Sequence, residues 1–241
     1  MTFEGVGPGK EMHFQYDNSL GPQEVNWGWV NDTKAGQFNW TVGSNDMGLP
    51  EGSEMVTFCA QLFQGVSNGQ TYTYFSNDIA DTPDDNSEPG TMGMMRASVL
   101  GDLYARHYDS INGGMIEGFG NVGAAKASAA FQMAVWEITH ENMPAGGGEI
   151  DAQTYVNSLS LKLGAFTAWT ASGTTDELAS FFLDSLLEGG MLAFDLMGLT
   201  NPGQQDQIMP LGMNYVPLPA PVVLAGTGLV GLLVLRRRFT R

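Results

Sequence analysis

The sequence predicts an α+β fold: a β-sandwich or barrel with inserted helices in residues 1–215, followed by a C-terminal transmembrane helix. Three observations lead to this fold class. The first ninety residues hold short aromatic and β-branched runs separated by Gly, Asn, Asp and Pro. Later segments repeat apolar residues at helical spacing, and the last 26 residues contain an uncharged apolar run closed by arginines. Short runs between turn residues indicate strands, and the longer period indicates helices.

Five runs in the first part of the chain are predicted as strands, because β-branched and aromatic side chains fit a half-buried pleated surface. The predicted strands cover residues 12–16, 25–30, 37–42, 55–63 and 70–75. An acidic stretch with two prolines, residues 78–90, is predicted as a loop. The 32 glycines are also typical of a turn-rich β domain.

The second part of the chain changes period. Met95, Val99 and Leu103 recur every four residues, which predicts a helix. A capping box formed by Thr174 and Glu177 predicts the start of a later one. The predicted elements are helices 91–109, 122–142 and 174–189 and closing strands 191–196 and 207–213. Residues 155–169 fit either type.

The C-terminal residues 216–241 predict a membrane segment. They begin with Val216, Pro217, Leu218, Pro219 and Ala220 and end with a basic cluster that contains Arg236, Arg237 and Arg238. The apolar run 220–235 has 16 residues, about 24 Å as a helix against a hydrocarbon core of about 30 Å. A thinned bilayer or snorkelling arginines would let it span, with the basic end 236–241 on the cytoplasmic side.

The charge distribution agrees with a domain that lies outside the cytoplasm. All 26 acidic residues but only six of the ten basic ones lie before residue 216, a formal charge of −20. Such a surface repels nucleic acid, so we expect no nucleic-acid partner. With the arginines cytoplasmic the domain must be translocated, and residues 1–5 lack the features of a signal peptide. We therefore expect either that the true start codon lies upstream of Met1 or that a leader has been removed.

The three parts of this tail, in this order, resemble the PEP-CTERM sorting signal in the variant that begins Val-Pro-Leu-Pro-Ala. The resemblance implies an exported protein that is anchored in the inner membrane by the C-terminal helix. It also implies recognition by an exosortase, a membrane transpeptidase, followed by display at the cell surface or release. The alternative is an ordinary single-pass anchor.

The single cysteine, Cys59, lies within a predicted strand and excludes an internal disulfide. A second notable segment, residues 130–138, lies on the predicted helix 122–142 and contains Gln132, Ala134, Trp136 and Glu137. Trp136 follows Gln132 by four residues, so the two side chains share one face of the helix.

These two segments resemble the Cys–Gln thioester domains of bacterial surface adhesins. The resemblance implies that Cys59 is the thioester cysteine, that Gln132 is its acyl partner, and that Ala134 and Trp136 belong to the flanking motif. Phe131 stands where the adhesins have threonine. PEP-CTERM proteins with a helical Gln-x-Ala-x-Trp-Glu match more closely and extend the motif to Glu137. Further segments shared with that group are residues 36–41, 69–74 and 205–207.

The chemistry follows from the functional groups. A thiolate held against a glutamine amide can expel ammonia and leave a thioester, which is an acyl donor for an amine or hydroxyl on a surface or matrix partner. Glu137 and His140 are close enough in sequence to assist proton transfer. The alternative is a non-covalent structural or exopolysaccharide-matrix protein in which Cys59 is a small core residue.

Other patterns do not predict a site. We expect no enzyme, because a hydrolase built on Cys59 and His140 would need an orienting acid and oxyanion glycines at recognisable spacing. The three histidines share no metal-ligand spacing. The carboxylates of residues 78–88 lack the spacing of an EF-hand, so we expect neither a metal nor a cofactor. The sequence leaves the oligomeric state open.

Overall fold

A computed structural model describes residues 1–84, 89–145 and 150–211. The chain divides into two units, residues 1–211 and 212–241, and all described residues belong to the first. The strands are β1 (Thr2–Tyr16), β2 (Asn31–Thr41), β3 (Glu54–Cys59), β4 (Phe75–Asn77), β5 (Met115–Ile116), β6 (Gly120–Asn121), β7 (Phe166–Thr170), β8 (Leu196–Thr200) and β9 (Gln207–Pro210). The helices are α1 (Gly93–Ile111), α2 (Ala124–His140), α3 (Ala152–Val156) and α4 (Gly173–Asp184), with a single 3₁₀ turn at Ile79–Asp81.

The fold is α+β, as predicted. Seven strands form one antiparallel sheet in the order β4-β8-β9-β3-β2-β1-β7, and β5 and β6 form a separate two-stranded hairpin. Phe38 and Trp40 of β2 are buried together with Phe3 of β1, and the Phe3 and Trp40 rings lie 4.9 Å apart. Aromatic cross-strand pairs of this kind stabilise antiparallel sheets.

Helix α2 is enclosed by the other elements of the first unit. Every residue from Ala127 to His140 is buried, because β1 and β2 cover one side of the helix and α1 and α4 cover others. A helix that is enclosed on all sides has no polar solvent face. Its alanines permit close approach of the neighbouring elements, and its polar side chains have only groups inside the protein to bond to, as Gln132 does.

The predicted helices agree with α1, α2 and α4 to within a few residues. The Thr174–Glu177 capping box does not form: α4 begins at Gly173, and its cap residue Ser172 makes no side-chain capping bond. Instead the Asp176 carboxylate accepts hydrogen bonds from the N–H and hydroxyl of Thr170, at 2.9 and 2.8 Å. The start of this helix is thus tied to the end of β7.

Several strand predictions were wrong in extent. Residues 25–30 form a loop, because the Asn26 side chain binds the backbone oxygens of Gly164 and Ala165 and no strand pairs with the segment. Strand β3 ends at Cys59 rather than at residue 63. Within residues 70–74 the pairing is limited to an isolated bridge between Thr71 and Thr2, with flanking backbone bonds from Phe3 to Gln70 and from Tyr72 to Met1. The ambiguous region 155–169 contains the end of α3 and most of β7, and the predicted strand 191–196 overlaps β8 only at its last residue.

Within the described ranges, no helix is both long and apolar enough to cross a membrane. The predicted span 220–235, the residues from Val216 to Ala220 and the arginines from Arg236 to Arg238 lie outside the described residues.

Candidate site at Cys59 and Gln132

Cys59 and Gln132 are in contact although 73 positions separate them along the chain. The Cys59 N–H donates to Oε1 of Gln132 at 2.8 Å, and Nε2 of Gln132 donates to the Cys59 carbonyl at 2.9 Å. Both residues are fully buried. The side-chain amide of Gln132 is therefore held at both ends against the backbone of the cysteine.

The sheet explains why a glutamine amide fits here. The register between β2 and β3 ends at Phe38 opposite Thr57. The N–H and C=O groups of successive residues in a strand point to opposite neighbouring strands. The Ala60 N–H bonds to Asp206 on the β9 side. The N–H and C=O of Cys59 therefore point to the β2 side, where β2 no longer pairs with β3. The Gln132 amide takes the place of the missing strand and satisfies one buried donor and one buried acceptor.

The Cys59 sulfur is also enclosed. Its thiol donates to the Gln61 carbonyl at 2.6 Å, and the Gln61 N–H donates to the sulfur at 3.3 Å. Burial raises the pKa of the Cys59 thiol well above its usual value, and this outweighs the opposite effect of the Gln61, Trp136 and Gln205 donors around it. Cys59 is consequently a neutral thiol in the folded protein.

The segment from Gln205 to Gln207 closes the site from the β9 side. Gln205 donates from Nε2 to the Gln61 carbonyl at 2.9 Å, the same oxygen that accepts the thiol. Tyr74 donates its hydroxyl to the Gln205 carbonyl at 2.9 Å. Gln207 lies opposite Cys59 in the β3–β9 register. A segment that the sequence marked only by resemblance thus positions the acceptor of the cysteine thiol.

A second part of the same network was missed by sequence reasoning. The Trp40 indole N–H donates to the Thr57 hydroxyl, and this hydroxyl donates to Oε1 of Gln207, both at 2.8 Å. Thr57 precedes Cys59 by two residues on one strand, so the two side chains share a face. That spacing and the repeated glutamines were the only signals of the network in the sequence.

The flanking motif of α2 surrounds the site with apolar side chains. Ala134, Trp136 and Phe131 are fully buried. Among the described residues the buried Trp136 indole N–H has no hydrogen-bond partner. Its effect on the pKa of the Cys59 thiol is to lower it, against the larger effect of burial. The Phe131 ring packs against Phe58 at a centroid distance of 4.8 Å, so a hydroxyl there would lie in an aromatic cluster.

Glu137 and His140 belong to a different environment. Oε1 of Glu137 accepts the Ser160 N–H at 2.6 Å, and burial together with the nearby Glu141 raises its pKa well above the usual range. Nδ1 of His140 lies 2.8 Å from the Thr139 hydroxyl, and burial lowers the pKa of His140 to about 3. No hydrogen bond in the described part of the chain joins either side chain to Cys59, so the expected help in proton transfer is not supported.

The described residues contain no group of three potential metal ligands. Of the acidic loop, Asp78 caps the turn at Ile79–Asp81 through a bond to the Ala80 N–H, and Asp85 and Glu88 lie outside the described residues.

The site supplies one group that acyl transfer uses at the Gln132 carbonyl, a hydrogen-bond donor to its oxygen. The Cys59 N–H already donates to the Gln132 oxygen, which would carry the negative charge after attack by sulfur, and such a donor stabilises the tetrahedral intermediate. The Gln132 nitrogen is the leaving group. Enclosure of both residues excludes water from the bond that would form.

Comparison with protein family models, with curated proteins and with solved structures finds no match to this chain.

Proposed function

We propose that this chain is an exported surface protein that attaches covalently to a partner through a thioester between Cys59 and Gln132. The observation that supports this most directly is the pair of hydrogen bonds that holds the Gln132 amide against Cys59 in a fully buried site. These bonds hold the two residues side by side, and proximity of this kind would offset the low reactivity of an amide once the Cys59 sulfur reaches the side-chain carbonyl carbon of Gln132.

The chemical step balances without any co-reactant. The Cys59 sulfur attacks the side-chain carbonyl carbon of Gln132, the carbon–nitrogen bond breaks, and the thiol proton leaves with the nitrogen as ammonia. The hydrogen bond from the Cys59 N–H to the carbonyl oxygen is kept, and the bond to the Cys59 carbonyl is lost with the nitrogen. An amine or hydroxyl of a partner then takes the acyl group and restores the thiol.

The alternative is a non-covalent structural or matrix protein. The same two hydrogen bonds complete the sheet where β2 departs, which is a sufficient structural role for Gln132. In that case Cys59 is a small buried residue whose thiol donates to Gln61. The two functions differ in one covalent bond, so a chemical measurement separates them.

The test is the intact mass of the purified protein under denaturing conditions at mild acidity. With a thioester, the native protein is one ammonia lighter than its sequence, resists alkylation, and gains methylamine at Gln132. Cys59→Ala and Gln132→Glu should show none of these changes, whereas the exposed control Gln23→Glu should show all of them. A full sequence mass with an alkylatable Cys59 after unfolding would leave the non-covalent function.

For the tail, we propose that residues 216–241 are the sorting signal, with residues 220–235 in the bilayer and Arg236, Arg237 and Arg238 cytoplasmic. Each arginine at the bilayer centre would cost a few kcal/mol, which opposes their passage. The exosortase is the expected partner, and the domain before the tail, which we expect to be sandwich-like, would lie outside the inner membrane. Expression behind a signal peptide, followed by fractionation and external protease, tests this topology. Recovery of the protein in the cytosol would refute it.

A further inference from the structure

An exposed loop at residues 25–30, here called the tryptophan loop, has no role in the site described above. The side chains of Trp27 and Trp29 are 87% and 91% exposed, and Val25 and Val30 are about half exposed. Trp is a residue type that folded proteins bury on average. Two almost fully exposed indoles within three residues mark an interaction surface.

The tryptophan loop is held in one conformation by polar side chains. Asn26, which is 5% exposed, donates to the carbonyls of Gly164 and Ala165 at 3.3 and 2.8 Å and accepts the Gly28 N–H at 2.8 Å. Gln15 of β1 donates to the Gly28 carbonyl at 2.6 Å. Gly28 lies between the two tryptophans, so the positions that carry the indoles are fixed before any ligand binds, which lowers the entropic cost of binding.

A cleft of about 640 Å³ adjoins the loop and shares its anchors. Gln15 and Asn26, which hold Gly28, also line the cleft, together with Trp169 of β7. The opposite wall is α4, which contributes Glu177, Ser180 and Asp184. No hydrogen bond within the described residues uses the side chains of these three α4 residues, so their polar groups remain available to a ligand.

We propose that the cleft and the tryptophan loop bind a neutral polysaccharide. A pyranose ring has an apolar face of C–H groups that stacks on a flat indole. Trp169 lines the cleft, and Trp27 and Trp29 are exposed on the loop whose Asn26 also lines it. The rim of the same ring carries hydroxyls, which are donors for carboxylates such as Glu177 and Asp184. A few fixed polar groups beside aromatic surface is the usual composition of a ligand site.

The charges select against other occupants. The cleft is lined by three carboxylates, Asp176, Glu177 and Asp184, and among the described residues by one cation, Lys162. This excess of negative charge repels uronic acid polymers and nucleic acid. A membrane surface would strip water from these carboxylates and from the exposed Glu24 that precedes the loop. A neutral sugar chain keeps the carboxylates hydrogen-bonded while it covers the indoles.

Affinity electrophoresis of the full 241-residue chain, in a detergent without sugar, tests the proposal with gels that contain hydroxyethylcellulose, laminarin, dextran, galactomannan or alginate. We expect at least one neutral polymer to retard the protein and alginate to have no effect. The double variant Trp27→Ala/Trp29→Ala and the double variant Glu177→Gln/Asp184→Asn should each weaken retardation about tenfold or more. Phe75→Ala is the matched control, because Phe75 is 62% exposed on β4, at the opposite edge of the sheet from β7.

The outcomes separate this proposal from its rivals and from the thioester. Retardation by none of the four neutral polymers, or equal retardation of the wild type and the tryptophan variant, would overturn it. Flotation with phosphatidylcholine vesicles that depends on Trp27 and Trp29, without glycan binding, would assign the loop to a membrane instead. The inference does not depend on the thioester, so Cys59→Ala should bind the polysaccharide as the wild type does.

Discussion

Replacement of Gln132 by Met tests whether its amide completes the sheet at Cys59. Methionine has a similar length and volume but neither a donor nor an acceptor of comparable strength, so packing is largely conserved. The variant is best made in a Cys59→Ala background, where no thioester can contribute to stability. Only the hydrogen bonds at 2.8 and 2.9 Å to the backbone of residue 59 are then removed.

The expected cost follows from burial. The N–H and C=O of residue 59 are enclosed at a position with no exposed surface, and a buried backbone group without a partner costs about 1–3 kcal/mol. Two such groups give a loss of about 2–6 kcal/mol in the free energy of unfolding, a large part of the total stability of a domain. Gln23→Met, at an exposed position, should change stability by less than about 0.5 kcal/mol.

Urea unfolding followed by circular dichroism measures the difference in the free energy of unfolding between Cys59→Ala and Cys59→Ala/Gln132→Met. The comparison holds if this free energy depends on urea concentration with the same slope in both proteins. A loss of unfolding free energy below about 1 kcal/mol would show that the N–H and C=O of residue 59 find other hydrogen-bond partners. If both groups were buried without a partner, the loss would be larger. The structural account of Gln132, and with it the fixed geometry that supports the thioester, would then be wrong.

Two further predictions concern buried carboxylates. Burial raises the pKa of Glu141 to about 7, so the folded state holds a proton that the unfolded state releases near pH 4.3, and stability should fall as the pH rises from about 4.3 to 7. Urea unfolding at pH 5 and pH 8 measures this loss of unfolding free energy. Glu141→Gln should make the loss between the two pH values smaller by about 2–3 kcal/mol, whereas Glu117→Gln, at an exposed position, should leave it unchanged. Burial acts to raise the pKa of Asp102, but hydrogen bonds from Arg106 and two backbone N–H groups outweigh it and leave the pKa lowered. Its stabilisation is therefore present above about pH 3.9 and lost as the pH falls through the native pKa. Asp102→Asn should cost about 3–5 kcal/mol at pH 7 and progressively less below pH 4, whereas the exposed Asp109→Asn should cost little at either pH; a cost that does not depend on pH would contradict this assignment.

The helices could be predicted because their signal is local. Predicted helix 91–109 corresponds to α1 at Gly93–Ile111, and predicted helix 122–142 corresponds to α2 at Ala124–His140, since apolar spacing along the chain is a property of neighbouring residues. The strands were less predictable because a strand requires a partner. Residues 25–30 have the composition of a strand, yet Asn26 binds Gly164 and Ala165 and leaves both tryptophans in solvent.

The sequence by itself determined the class of the fold, the acidic charge from which we expect no nucleic-acid partner, and the resemblance that singled out Cys59 and Gln132. Only the tertiary structure decided that these two side chains meet, that Gln61 and Gln205 enclose the thiol, and that Glu137 turns to Ser160 instead. Every residue of α2 from Ala127 to His140 is buried, so the contrast between apolar and polar positions could not indicate which residue of this helix faces β3. Contacts between positions 73 residues apart depend on how the sheet and helices pack, and no local pattern encodes that distance.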